Sequence, residues 1–466
     1  MKKFLKLFCF MFCFALLLTG CATVSNIKNN SKELIYNGGS VVRVGDYLYF
    51  ANNIDNASEN LDSNKGYKKL AGTANLKRVN LSKLKAKNEN TSVKNSETVQ
   101  EEFVGYENTN MFVLGNYIYY STPNLHKDKS NNNHFDYTTI YRCKLNGDNN
   151  KEIYTTSAVI SRMDILKADG DYYIVMVDSE SNILRMKIGK KVGKVETIAK
   201  KVTTYAIAED NQKNNGYIYY TKDYSGTDGL SGSRVYRVNI ESGKDKLIYN
   251  GVAGGRATTI KFTGRQNDVV FYTHTNKSGT ENYYVDLSKT NFTTSILNKD
   301  NLFYASASEI SDVKAITGNK LYKGYTFVVD SNLMYKNVRT NEIENISTAL
   351  SENYSDFKIL FVDECKIFFN SATNNAFYYY DVTTKDVTEI VKMNSTIYSD
   401  AIYGYDGTNL YYYAQIVDED AETTVSAQAE GEGEETEEKG DQNYYLYTVK
   451  INRSANETYQ LLGKTV

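Results

Sequence analysis

Short runs in which aromatic or branched apolar side chains alternate with polar ones recur along almost the whole chain. Each is bounded by Gly, Asn, Ser or Asp. The plainest is Asn215-Gly216-Tyr217-Ile218-Tyr219-Tyr220, followed by Arg234-Val235-Tyr236-Arg237-Val238 and then by Lys246-Leu247-Ile248-Tyr249. A period of two in Tyr, Ile and Val suits a pleated, half-buried surface, so the phrase predicts three successive strands of one antiparallel unit.

The second strand of such a unit aligns at Tyr47, Tyr117, Tyr172, Tyr217, Val269, Tyr325, Lys366 and Asn409, spaced 41 to 70 residues apart. Third strands follow at Leu76-Lys77-Arg78-Val79, Ile140-Tyr141-Arg142-Cys143, Ile183-Leu184-Arg185-Met186 and their counterparts, and fourth strands at Glu152-Ile153-Tyr154 or Val387-Thr388-Glu389-Ile390. Periods of this size belong to propeller blades. The expected fold is all-β, a β-propeller of seven or eight four-stranded blades with eight preferred, over residues 34–466. In the sixth unit Lys320-Leu321-Tyr322 competes with Tyr325-Thr326-Phe327-Val328 for the second strand. Lys32-Glu33-Leu34-Ile35-Tyr36-Asn37-Gly38 matches Asp245-Lys246-Leu247-Ile248-Tyr249-Asn250-Gly251, a fourth strand, which suggests that the N-terminus completes the last blade. Thr458-Tyr459-Gln460-Leu461-Leu462 fits the same place, so the strand that closes the ring is left open.

Composition sharpens this reading at two points. The chain has 41 Tyr, no Trp and one Pro. Tyr spread over every unit serves a layered β-structure, where it adds buried area and a hydroxyl that reaches water or backbone. Of five Cys, only Cys143 and Cys365 lie in the folded body, and both are expected to be unpaired and buried.

The first residues give an address. Met1-Lys2-Lys3 and Lys6 precede an apolar run, Leu7 to Leu18, too short to span a bilayer as a mature helix. Leu18-Thr19-Gly20-Cys21 resembles the bacterial lipobox. That resemblance implies a signal peptide over 1–20, a diacylglyceryl group on Cys21 and a lipid-anchored protein on the extracytoplasmic side of the cell membrane. Residues 21–33, rich in Asn, Ser and Lys, read as a flexible tether.

At Tyr217-Ile218-Tyr219-Tyr220-Thr221-Lys222-Asp223 with Arg234-Val235-Tyr236-Arg237-Val238, and at Tyr117-Ile118-Tyr119-Tyr120 with Ile140-Tyr141-Arg142-Cys143, the chain resembles Tyr-rich propeller repeats of bacterial surface proteins that carry a domain of unknown function. More remotely it is similar to YWTD propellers of low-density-lipoprotein receptors, from which it departs in lacking Trp. The resemblance implies a propeller and a binding or scaffolding role, and it carries no catalytic residue.

Function is expected on one face. The gaps 51–75, 121–139, 221–233, 273–282 and 417–443 between second and third strands are long and polar, as binding loops are. They hold all three histidines, His126, His134 and His274, read as solvent-exposed. The insertion at 417–443 carries eleven acidic residues against Lys439 and is expected to be disordered. Neither a nucleophile elbow, a zinc-protease helix motif nor a phosphate loop is present, and no cofactor or metal ligand set is indicated. The reading is a non-enzymatic, membrane-anchored module whose partner is an envelope protein, peptide or glycan, with no nucleic acid. The alternative is a cell-envelope glycan hydrolase using two blade-top carboxylates.

Overall fold

The computed structural model describes residues 28–29, 31–37, 39, 41–52, 73–83, 96–104, 111–123, 138–156, 158, 160–209, 214–255, 257–289, 292, 298–306, 308–350, 357–371, 376–392, 397–415, 444–450 and 458–460. Among them the strands form eight antiparallel sheets, seven of four strands and one of five. We number these blades 1 to 8, with inner strands beginning at Val41, Met111, Ile160, Tyr205, Thr259, Ser311, Phe357 and Ile397. Within each blade the chain moves outward strand by strand, as in a propeller. Two faces follow. The turns from inner to second strand and from third to outer strand form the turn face, and the remaining connections form the hairpin face. Among the described residues no helix is long and apolar enough to cross a membrane.

The recurrent phrase explains how the blades hold together. Its first Tyr lies under a third-strand guanidinium: Arg78 over Tyr47 at 5.0 Å, Arg142 over Tyr117 at 4.4 Å, and Arg237 over Tyr217 at 4.6 Å. Its fourth residue stacks on the aromatic directly opposite, as in Tyr120–Tyr141 and Tyr220–Tyr236 with centroids 5.6 and 5.2 Å apart. Its third Tyr crosses to the next blade. Tyr49 Oη and Arg78 Nη1 both donate to Leu145 O, at 3.0 and 3.3 Å. One blade on, Tyr119 Oη and Arg142 Nη1 both donate to Gly189 O, at 3.0 and 3.1 Å. Arg185 Nη1 makes the equivalent bond to Ile240 O. Each acceptor is the residue just after the neighbour's third strand, so a Tyr–Arg pair rivets two successive seams and Arg185 alone, with Ile174 in the Tyr position, rivets the third. Such close approach leaves no room at Gly147, where φ is +88° and a Cβ would stand 1.7 Å from Val99 O.

The later seams use other groups. Arg265 Nη1 reaches Tyr217 O at 2.5 Å, and the Ala315 amide reaches Gln266 Oε1 at 3.3 Å. Tyr380 donates to Glu344 at 2.5 Å, and Tyr405 stacks on Phe361 and donates to Asp363 at 2.6 Å. Blade 8 meets blade 1 through Arg43 and Asp406, 2.8 Å apart with the Asp406 side chain 2% exposed.

The N-terminal strand corrects one expectation. Leu34–Ile35 does not complete the last blade, because Thr458–Gln460 already pairs with the third strand of blade 8. Instead Leu34 and Ile35 pair with Leu114 and Val113 on the inner edge of blade 2, which is why that sheet has five strands. The segment forms a strap. Glu33 accepts from the Tyr172 hydroxyl at 2.6 Å and pairs with Lys167, both in blade 3. Asn37 O accepts from the Tyr405 amide, and Asn37 Nδ2 donates to Tyr405 O, each at 2.7 Å. Gly39 O accepts from the Met111 amide at 3.0 Å. The ring is thus clasped by a strap joining blades 3, 2 and 8. In the sixth unit, Gly324–Val329 is the second strand and Leu321 lies exposed in the turn before it.

Candidate functional site: the axis and the hairpin face

Inner strands bring charge to the axis. Bulges interrupt their register in blade 3 after Ile160, in blade 5 after Phe262, in blade 6 after Ser311 and in blade 7 after Ile359. An extra residue in one strand re-aims the side chains that follow it. In blade 6 the bulge holds Asp312 at φ +49°, a conformation Asp tolerates better than most residues. In blade 3 it leads into Arg162 and Asp164, which pair bidentately, Nε to Oδ2 at 2.6 Å and Nη2 to Oδ1 at 3.2 Å. Arg162 also donates to Ile207 O of blade 4 at 3.3 Å. Lys314 of blade 6 forms an ion pair with Glu209 of blade 4, bypassing blade 5.

Burial pushes the Asp164 carboxyl above its ordinary range, and Arg162 only partly offsets this. For Arg162, burial opposes the charge but the Asp164 carboxylate outweighs it, so the guanidinium is held more firmly protonated. The carboxylates Asp164 and Glu209 are therefore each neutralised by a cation. Chemically the cluster is a set of charge-compensated pairs, Arg162 with Asp164 and Lys314 with Glu209. No group of three His, Cys, Asp or Glu among the described residues is placed to hold a metal ion. Sequence reasoning missed this cluster. The available signal was Arg162-Met163-Asp164 inside a run otherwise fit for a buried strand.

Among the described residues, the hairpin face is built out furthest by blades 4 and 5. The gaps 221–233 and 273–282, expected to be loops, are instead continuations of the strands. Tyr217–Ser225 and Ser231–Asn239 stay paired out to Ser225 and Ser231, and Val269–Asn276 pairs with Gly279–Asp286 out to Asn276 and Gly279. The alternation simply runs on, with Thr275 and Thr280 hydroxyls 2.9 Å apart across the ladder. At the blade 4 tip, the Gly226 amide donates to Leu230 O at 3.0 Å, Asp228 accepts from the Leu230 amide at 3.0 Å and from the Tyr224 hydroxyl at 3.2 Å, and Arg234 lies over Tyr224 at 4.9 Å. The connection to blade 5 braces this tip: Ser231 bridges to Ala253, and the Ser233 amide donates to Thr258 O at 2.9 Å. Leu230 remains 39% exposed at the summit.

His274 is not in an exposed loop. It sits in the second strand of blade 5, 5% exposed, edge-on to the Tyr283 ring, with Nε2 buried and lacking a hydrogen-bond partner. Burial holds its imidazole below the ordinary value. His126, His134, Cys21 and the acidic insertion at 417–443 lie outside the described residues. The second strands of blades 8, 1 and 2, which lead into the three longest insertions, all end on the hairpin face of adjacent blades. Cys143 and Cys365 are unpaired. Cys143 is fully buried, and burial pushes its thiol up to about 12, while Cys365 is only partly covered.

No family model matches the chain. No curated protein matches it either. Among solved structures, dipeptidyl peptidase 4 of Porphyromonas gingivalis is similar at 13% identity and TM-score 0.47, covering 93% of this chain and 60% of that one. One of two prolyl endopeptidases is similar at 9% identity and TM-score 0.44, covering 91% and 56%. The β-propeller domain of the Trilobed protease from Pyrococcus furiosus is similar at 12% identity and TM-score 0.37, covering 78% and 99%. The chain spans less than two thirds of the two peptidases' length, and the likeness is one of architecture.

Proposed function

We propose that this chain is a binding scaffold, held outside the cytoplasm by acyl groups on Cys21, that takes an envelope protein, peptide or glycan on its hairpin face. The observation that carries the reading is the raised, internally braced hairpin pair of blades 4 and 5, with Leu230, Tyr224 and Arg234 at its summit. Aromatic and Arg side chains fixed on paired strands lose little freedom on binding, which is what a contact surface needs. The lipobox-like Leu18-Thr19-Gly20-Cys21 supports the address. Capture from envelope extracts tests the surface: wild type retains a partner that Leu230→Ser with Tyr224→Ala loses, whereas equal capture places the contact elsewhere. Cys21→Ala tests the anchor, because the variant is released or left unprocessed if the assignment holds.

A second reading, glycan hydrolysis at the axis, draws on the raised Asp164 carboxyl near Glu209. Incubating purified protein with cell-wall and capsule fragments separates the two, since turnover is expected only from the second.

A further inference from the structure

We infer that the turn face of blades 2 and 3 rests on the lipid surface, so that the hairpin face points away from the membrane; this rests on the proposed anchor at Cys21. The strap supplies the geometry. The Asn29 amide donates to Asn116 Oδ1 and Asn29 Nδ2 donates to Gly115 O, each at 2.9 Å, which pins residue 29 to the inner turn of blade 2. Glu33 is pinned to Lys167 and Tyr172 beside the inner turn of blade 3. Both turns lie on the turn face.

From Cys21 to Asn29 the chain reaches at most about 28 Å when fully extended. The second and third strands of blade 2 run to seven residues, so its two faces stand about 23 Å apart. A chain leaving the turn face for the hairpin face must also pass around the outer edge of a four-stranded blade, at about 4.8 Å per strand. That path exceeds its reach, and the hairpin face cannot be the one laid on the bilayer. Charge agrees with this placement. The turn after the third strand of blade 3 carries Lys190, Lys191 and Lys194, all exposed, and Lys32 in the strap is exposed on the same face. On the same face Asp171 is engaged by Lys187, and the exposed acids Asp148 and Asp169 leave these lysines in excess. Lysines so placed draw a surface toward anionic headgroups.

Because the chain has no Trp, one introduced Trp is a selective reporter. Lys191→Trp marks the turn face and Lys277→Trp the tip of the blade 5 hairpin; both side chains are exposed, so neither change disturbs the core. Full-length variants are reconstituted into anionic vesicles containing lipids with nitroxide-labelled headgroups. Quenching several-fold stronger at Trp in position 191 than at position 277 is the expected result. Equal or reversed quenching in a chain whose mass shows acylation overturns the orientation alone. A chain without the acyl mass that stays off the vesicles overturns the anchor and the orientation together.

Discussion

Leu34→Ala loosens the clasp that closes the ring, and the structure says by how much and where. Leu34 is 5% exposed and packs among Phe112, Leu114, Tyr119 and Tyr172 at the seam of blades 2 and 3. Truncating a buried Leu costs about 2–5 kcal/mol, and a two-residue edge strand can partly collapse into the gap, so about 2–3 kcal/mol is expected. The neighbouring Glu33–Lys167 pair adds little, because both side chains are well exposed. Two amides report the strap directly, since Tyr405 and Met111 donate to Asn37 O and Gly39 O. At about 1.4 kcal/mol per tenfold, their hydrogen exchange should accelerate roughly 30- to 140-fold. The Ile240 amide of blade 4, bonded to Gly216 O, should keep its wild-type rate. Unchanged exchange at Tyr405 and Met111, or acceleration spread evenly over all blades, would refute the clasp.

Other seams make separate predictions. Burial opposes the charge on Asp406, but the Asn409 amide, Arg43 and the Tyr411 hydroxyl outweigh it and hold the carboxyl below its usual range. Its contribution is therefore present above about pH 4 and lost as pH falls further, so protection near Tyr405, taken relative to the intrinsic exchange rate, should fall in acid. Asp406→Asn should remove about 2 kcal/mol and flatten that dependence. Tyr119→Phe and Arg142→Ala should each cost about 1 kcal/mol, and the double variant more than their sum, because either donor alone still satisfies Gly189 O; strict additivity in denaturation would contradict the shared acceptor. His274, held below the ordinary imidazole value, is neutral in the fold while the unfolded chain takes up a proton below about pH 6.5. Stability of blade 5 should accordingly fall from pH 7 to pH 5, and His274→Phe should lessen that fall.

Much of the fold is legible in the letters. Tyr217-Ile218-Tyr219-Tyr220 and Arg234-Val235-Tyr236-Arg237-Val238 encode a hairpin locally, because alternation and turn residues act over a few positions. What the letters do not carry is which edge a strand meets. Leu34–Ile35 resembles the outer strand at Leu247 and Ile248, yet it lies on an inner edge, since the outer place in blade 8 is taken by a segment more than 400 residues away. The extended hairpins of blades 4 and 5 are hidden in the sequence for a related reason. Thr273-His274-Thr275 is polar, so it looks like loop, but its ladder is fixed by Thr280, Glu281 and Asn282 opposite. The axial pairs were hidden for longer-range reasons: Glu209 and Lys314 meet only once blades 4 and 6 are placed on one ring.

Binding through the hairpin face, as proposed above, is open to a capture measurement. Immobilised wild-type protein and a variant with Tyr224→Ala, Leu230→Ser and Arg234→Ala should be compared for capture of envelope components. Loss of the captured species from the variant, with exchange at the strap amides unchanged, is the predicted result. Retention of the same species at the same level would contradict it.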